Sequence, residues 1–198
     1  MRESKNKTAF EIEPNACILF AIVILLLPLP WCVTWLIATV AHEAGHYIAL
    51  RYLKVSVYAV SVKCNGVLME TGDMTKKVEL FSALAGPVCG LLLVLCVKLF
   101  PRLAICACIQ SVYNLLPIYP LDGGRVLFAI LSSVMRVSLA QRICILTEYM
   151  IFGFAVMAAL YASIVLRLGA LPLLAVSVLL FRKLQLKIPC KEGKLRVQ

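Results

Sequence analysis

The stretch Trp31–Tyr52 reads WCVTWLIATVAHEAGHYIALRY. It is apolar and slightly longer than the about 20 residues a helix needs to cross a bilayer. It also contains His42, Glu43 and His46, and the chain has only two histidines. Ionisable groups at that depth are costly and are functional candidates by default. His42-Glu43-Ala44-Gly45-His46 is an HExxH motif. On a helix, residues four apart share a face, so both imidazoles reach one metal ion. Glu43 projects beside that face, where it can take a proton from a metal-activated water. This is the arrangement of a zinc hydrolase. The bland reading is a pair of packed polar residues on a helix face.

The rest of the chain agrees with a membrane setting. Of its 198 residues, 62% are hydrophobic and 15% charged, against about 45–50% and 25% in soluble domains. The mean hydropathy is +0.94. These values argue against a soluble enzyme, a disordered chain, a coiled coil or a nucleic-acid-binding domain, despite the net charge of +10. Apolar runs fall at Ala16–Leu29, Trp31–Tyr52, Leu80–Phe100, Leu103–Met135, Ile143–Leu166 and Leu168–Phe181. The fourth is broken by Pro117, Pro120, Gly123 and Gly124 and reads as one interrupted crossing. The expectation is a single all-α polytopic membrane domain over 1–198 with about six transmembrane helices. Its tails, 1–13 and 187–198, are expected to be solvated. The nine cysteines lie mainly in apolar runs with no CxxC pair, so neither a disulfide framework nor a cysteine zinc site is expected.

Charge sets the orientation. In a six-crossing model all but Lys98, Arg102 and Arg167 of the 20 basic residues fall on one side. The positive-inside rule then puts both termini and the HExxH end toward the cytoplasm. The basic tails would face anionic lipid. Trp31 and Trp35 fit an aromatic belt, Lys98 and Arg102 an interfacial helix end, and Glu148 an interfacial position or, alternatively, a water-filled cavity. Between the second and third crossings, Val55–Lys63 and Val67–Asp73 flank Cys64-Asn65-Gly66. Asn-Gly between β-prone runs predicts a small hairpin with a type I′ turn. It is either an inert surface feature or an exposed edge that pairs with an extended substrate.

A catalytic zinc takes three protein ligands and a water. The chain has two aspartates, Asp73 and Asp122. Asp73 follows the hairpin, near the aqueous face. Asp122 lies in Asn114-Leu115-Leu116-Pro117-Ile118-Tyr119-Pro120-Leu121-Asp122-Gly123-Gly124-Arg125, inside the broken crossing and at the depth of the HExxH. Asp122 is the expected third ligand; a helix N-cap is a compatible second role.

HEAGH at 42–46, Ala85-Gly86-Pro87 and NLLPIYPLDGGR at 114–125 together resemble the site-2 protease family of intramembrane zinc metalloproteases. The nearest look is the bacterial stage IV sporulation protein FB group, which processes a membrane-associated sigma-factor precursor. The resemblance covers Ala16–Met135 well and the last two crossings by hydropathy only. It implies peptide-bond hydrolysis at the membrane, with one zinc held by His42, His46 and Asp122 and with Glu43 as general base. Asn114 looks like the family asparagine ahead of the LDG element, binding substrate or the oxyanion; a plain helix–helix hydrogen bond is the alternative. Gly90 stands where the family often has a second asparagine. The implied partners are a membrane-associated protein substrate, the lipid bilayer and a regulatory membrane protein. The implied location is a bacterial plasma membrane. A catalytically silent binding protein and a metal transporter are the competing classes.

Overall fold

The computed structural model describes residues 9–12, 28–63, 66–167 and 169–170, with isolated positions at 14, 17, 24, 25, 172, 173, 176 and 177. The first and last expected crossings lie almost wholly outside them, as do the C-terminal tail and most of the N-terminal one. The described elements are β1 (Ala9–Ile12), α1 (Leu29–Tyr52), β2 (Val57–Lys63), β3 (Gly66–Thr71), α2 (Lys76–Val94), α3 (Pro101–Asn114), α4 (Asp122–Val134) and α5 (Val137–Ile164).

Burial runs opposite to that of a soluble protein. Large apolar side chains face outward, among them Val40 (59% exposed), Ile48 (63%) and Phe154 (76%). The buried set contains small residues such as Ala38, Ala83 and Ala107. It also contains the polar His42, Glu79, Gln110, Ser111, Asp122, Arg125 and Glu148. An apolar rim around a partly polar interior suits a lipid surround, where exposed hydrocarbon costs nothing. Helices α2 and α5 are long and apolar enough to cross a membrane. The expected count of six crossings is not confirmed.

Helix α1 begins after Pro28 and carries Pro30 in its first turn, where a missing N–H is harmless. It ends in a left-handed residue, Lys54 (φ 58°). The Val55 N–H reaches back to the Leu50 carbonyl at 2.9 Å, and Val55 packs on Leu50. This is a Schellman-type stop with its hydrophobic contact, and it turns the chain into β2. Strands β2 and β3 form the expected antiparallel hairpin, but the last paired residues are Lys63 and Gly66. Gly66 therefore belongs to the strand and not to a central turn position. A third strand was not expected. Ala9–Ile12, assigned to the solvated tail from sequence, pairs parallel with β2, giving the order β1-β2-β3. Leu50, Val57 and Met69 form the small core that ties the hairpin to the end of α1.

Helix α2 is the hub, packing on α1, α3 and α4. Thr75 caps its start by accepting the Val78 N–H at 3.4 Å. Small residues permit the close contacts. A Cβ on Gly45 of α1 would stand 2.7 Å from the Ala85 carbonyl oxygen of α2. One on Gly90 would stand 2.3 Å from Ser111 Oγ of α3. Ser111 thus occupies the space that a side chain at position 90 would need.

The interrupted fourth run is two helices, α3 and α4, joined by 115–121. The Gly123-Gly124 pair lets the first turn of α4 lie directly on that connection. A Cβ at 123 would approach the Leu115 carbonyl oxygen to 2.1 Å, and one at 124 the Ile118 carbonyl carbon to 2.5 Å. These obstacles are backbone atoms and cannot rotate aside. Gly123→Ala is therefore expected to destabilise the fold by about 3 kcal/mol, the upper range for overpacking. Gly153→Ala in α5, whose added Cβ would meet nothing within 4 Å, is expected to be neutral or slightly stabilising. Thermal unfolding in detergent compares the two.

Glu148, within α5, is buried at 4% exposure.

Candidate metal centre

The middle of α1 brings His42 and His46 to one face, one helical turn apart. Both are buried, at 2% and 8% exposure. Their Nε2 atoms stand 3.2 Å apart. Asp122 Oδ2 completes a triangle, 3.0 Å from His42 Nε2 and 3.1 Å from His46 Nε2. Asp122 is the first residue of α4, and the N-cap position is Leu121. The N-cap role expected from sequence is thus not the one adopted. A carboxylate in the first turn still gains from the helix dipole.

The chemistry of this triad fits a cation. His46 Nδ1 lies 2.7 Å from the Ser82 carbonyl oxygen. A carbonyl only accepts, so Nδ1 carries the proton and Nε2 presents a lone pair. A neutral His46 thereby points a lone pair at a carboxylate oxygen and at a second imidazole. Such a set is repulsive unless a positive charge lies among its members. Zinc ligands at about 2.0–2.2 Å stand about 3.3 Å apart at tetrahedral angles, close to the spacings seen. The Ser82 bond is the usual outer support of a metal-binding histidine.

Other groups shape the surroundings. Arg125 Nη1 stands 3.4 Å from Asp122 Oδ1, holding the oxygen that the histidines do not use. The Arg125 charge also acts on Glu79 and Tyr119. Asn114, the last residue of α3, points its Nδ2 at His42 Nε2 from 3.3 Å. Glu43 is half-buried and lines a small cleft with His46, Leu50, Val67, Met69, Ser82 and Arg125. Two of those residues belong to β3, so the hairpin forms one wall. Gly86 of α2 faces His46: a Cβ there would stand 2.2 Å from its Nε2.

The structure therefore brings together His42, His46, Asp122 and Asn114, with Glu43 in the adjoining cleft. Asp73 is exposed and takes no part. Among the described residues the three-residue group is the only cluster able to hold a metal. Sequence reasoning missed three contributors. The Ser82 carbonyl carries no side-chain signal. Arg125 was in view in the LDGGR element without an assigned role. Buried Glu79 resembled an ordinary residue of a helix start.

Fold and site define a membrane-type helical protein with a buried three-residue group able to hold a metal. Residues 94–160 match the model of Peptidase family M50. The chain is 30% identical over 120 residues to Zinc metalloprotease MJ0392 of Methanocaldococcus jannaschii, covering 52% of this chain and 35% of that protein. It thus spans about a third of that relative's length. The Site-2 Protease from Methanocaldococcus jannaschii has the same fold, with a TM-score of 0.60 at 20% identity over 94% of each chain. The chain thus has the fold of a site-2 protease and, over residues 94–160, a sequence similar to Peptidase family M50.

Proposed function

We propose that this chain is an intramembrane zinc endopeptidase. It hydrolyses a peptide bond of a membrane-associated protein, with one zinc held by His42, His46 and Asp122. The convergence of two Nε2 atoms and one carboxylate oxygen within 3.0–3.2 Å carries the reading. When bound, zinc supplies Lewis acidity toward water and the scissile carbonyl. Glu43, beside the histidines, accepts the proton of the attacking water and returns it to the leaving amine. The Asn114 amide donates to the substrate oxygen as negative charge builds there. Arg125 and Ser82 hold the ligands in place.

The substrate must be extended, because a helix hides its carbonyls in hydrogen bonds. Strand β3 is an edge of the described sheet, and Val67 and Met69 line the cleft beside Glu43. Edge pairing with β3 would present an extended segment to the site. Val67→Pro is expected to cut cleavage at least about tenfold while zinc content stays at the wild-type level. Equal cleavage by both proteins would rule out edge pairing.

The resemblance implies a bacterial plasma-membrane protein, and the charge pattern supports termini and site toward the cytoplasm. Within the family, the FB-type reading predicts a sigma-factor-like precursor as substrate and a membrane protein as regulator. The direct test is purification in detergent, metal quantification, and co-expression with single-pass membrane substrates. About one zinc per chain with cleavage is expected. A well-folded protein without stoichiometric metal would overturn the proposal.

A further inference from the structure

Helices α1 and α3 meet along a seam of three polar pairs. Thr34 faces Cys106 (Oγ1 to Sγ, 3.6 Å), Thr39 faces Gln110 (3.3 Å), and His42 faces Asn114 (3.3 Å). On α3 these positions recur every four residues, a single stripe. Residue numbers rise together on both helices, so α1 and α3 run parallel and the seam leads to the metal centre.

The middle pair has a fixed sense. Thr39 Oγ1 donates its only proton to the Trp35 carbonyl at 2.9 Å. Toward Gln110 it can therefore only accept, and Gln110 must present Nε2 to it. That leaves Gln110 Oε1, an acceptor, turned away from Thr39. It is buried and has no protein partner, on a side chain only 8% exposed. The neighbouring pair has the complementary deficit. His42 is 2% exposed, and its Nδ1 is buried with no protein partner. If Nε2 gives its lone pair to a metal, Nδ1 carries the proton and is a donor. Buried donors and acceptors are rarely left unmet, and a metal-bound histidine almost always donates its second N–H. His46 does so to Ser82. His42 has no such carbonyl.

We propose that Gln110 is the positioning residue of His42, with Oε1 accepting the Nδ1 proton through one interposed water. The inference rests on the reading of His42 as a metal ligand. It assigns a role to a glutamine that none of the sequence motifs contains. The pairing fixes the His42 tautomer and ring plane, as Ser82 does for His46.

The test is zinc affinity, measured by chelator competition on the purified full chain in detergent. Gln110→Leu keeps the volume but removes the acceptor and is expected to weaken binding by about 10–100-fold. Gln110→Glu keeps an acceptor oxygen and should stay within about threefold of wild type. Thr39→Val removes the other Gln110 partner and should also leave affinity near wild type. Wild-type affinity in Gln110→Leu would overturn the inference, and so would equal weakening in Gln110→Leu and Thr39→Val. Gln110→Glu as weak as Gln110→Leu would overturn it too. His42→Ala separates the two levels. Undiminished zinc binding in that variant would remove the metal centre itself; weak binding there with tight binding in Gln110→Leu would remove the Gln110 role alone.

Discussion

Glu43→Gln is expected to abolish measurable proteolysis while leaving zinc bound. The change keeps size and polarity but removes the proton acceptor. A positioned general base contributes about 10²–10⁴-fold to such a reaction. The metal donors are His42, His46 and Asp122, and their mutual contacts of 3.0–3.2 Å do not involve Glu43. Metal analysis and cleavage of a co-expressed substrate should therefore separate cleanly. Zinc near one per chain with cleavage lost supports the assignment. Retained cleavage would show that another group moves the proton. Loss of zinc together with activity would mean that Glu43 holds the site together instead.

Gly86→Ala is expected to remove the metal without removing the fold. The added methyl lands 2.2 Å from His46 Nε2 and 2.5 Å from its Cε1. No van der Waals contact is that short, so the ring must swing away. Doing so breaks its bond to the Ser82 carbonyl and takes Nε2 out of the triad. Zinc affinity is expected to fall by at least about 100-fold, at or beyond the upper end seen when a supporting contact is lost. The rest of α2 is unaltered, so helical content and detergent elution should match the wild type. Wild-type zinc affinity in Gly86→Ala would contradict the close approach of α2 to His46.

Much of this centre is legible in the sequence because its groups are chemically out of place. Two histidines and a glutamate inside an apolar run announce themselves, and a proline-glycine interruption marks where backbone leaves the helix. The hairpin was visible through its valines. Strand β1 was harder to see. Phe10-Glu11-Ile12 alternates, yet four residues inside a polar tail make a weak signal, and parallel pairing with β2 depends on the folded hairpin. The turn register failed because Asn-Gly says that a turn is near without fixing which residues pair last. Asp122 was found by type and depth. Its place as first helix residue depends on how 115–121 closes over Gly123 and Gly124. The burial of Glu148 was not legible, because hydropathy says nothing about which helix face is covered. Gln110 and Thr39 drew no notice, since lone polar residues in a helix acquire meaning only from the partner across the seam.

The packing order around α2 has one more consequence. The two histidines ride on α1 and the carboxylate on α4, 80 residues later in the chain from His42. Both helices lean on α2, and they meet at the triad. A cation held there would work as a rivet joining two beams that otherwise share only a common post. Its binding energy would go into clamping the start of α4 against α1, so loading and tertiary closure become one event. A nascent chain that has released only α1 to α3 would own two of the three donors and no fastener. Competence would then arrive late in synthesis, when the short helix after the double glycine docks.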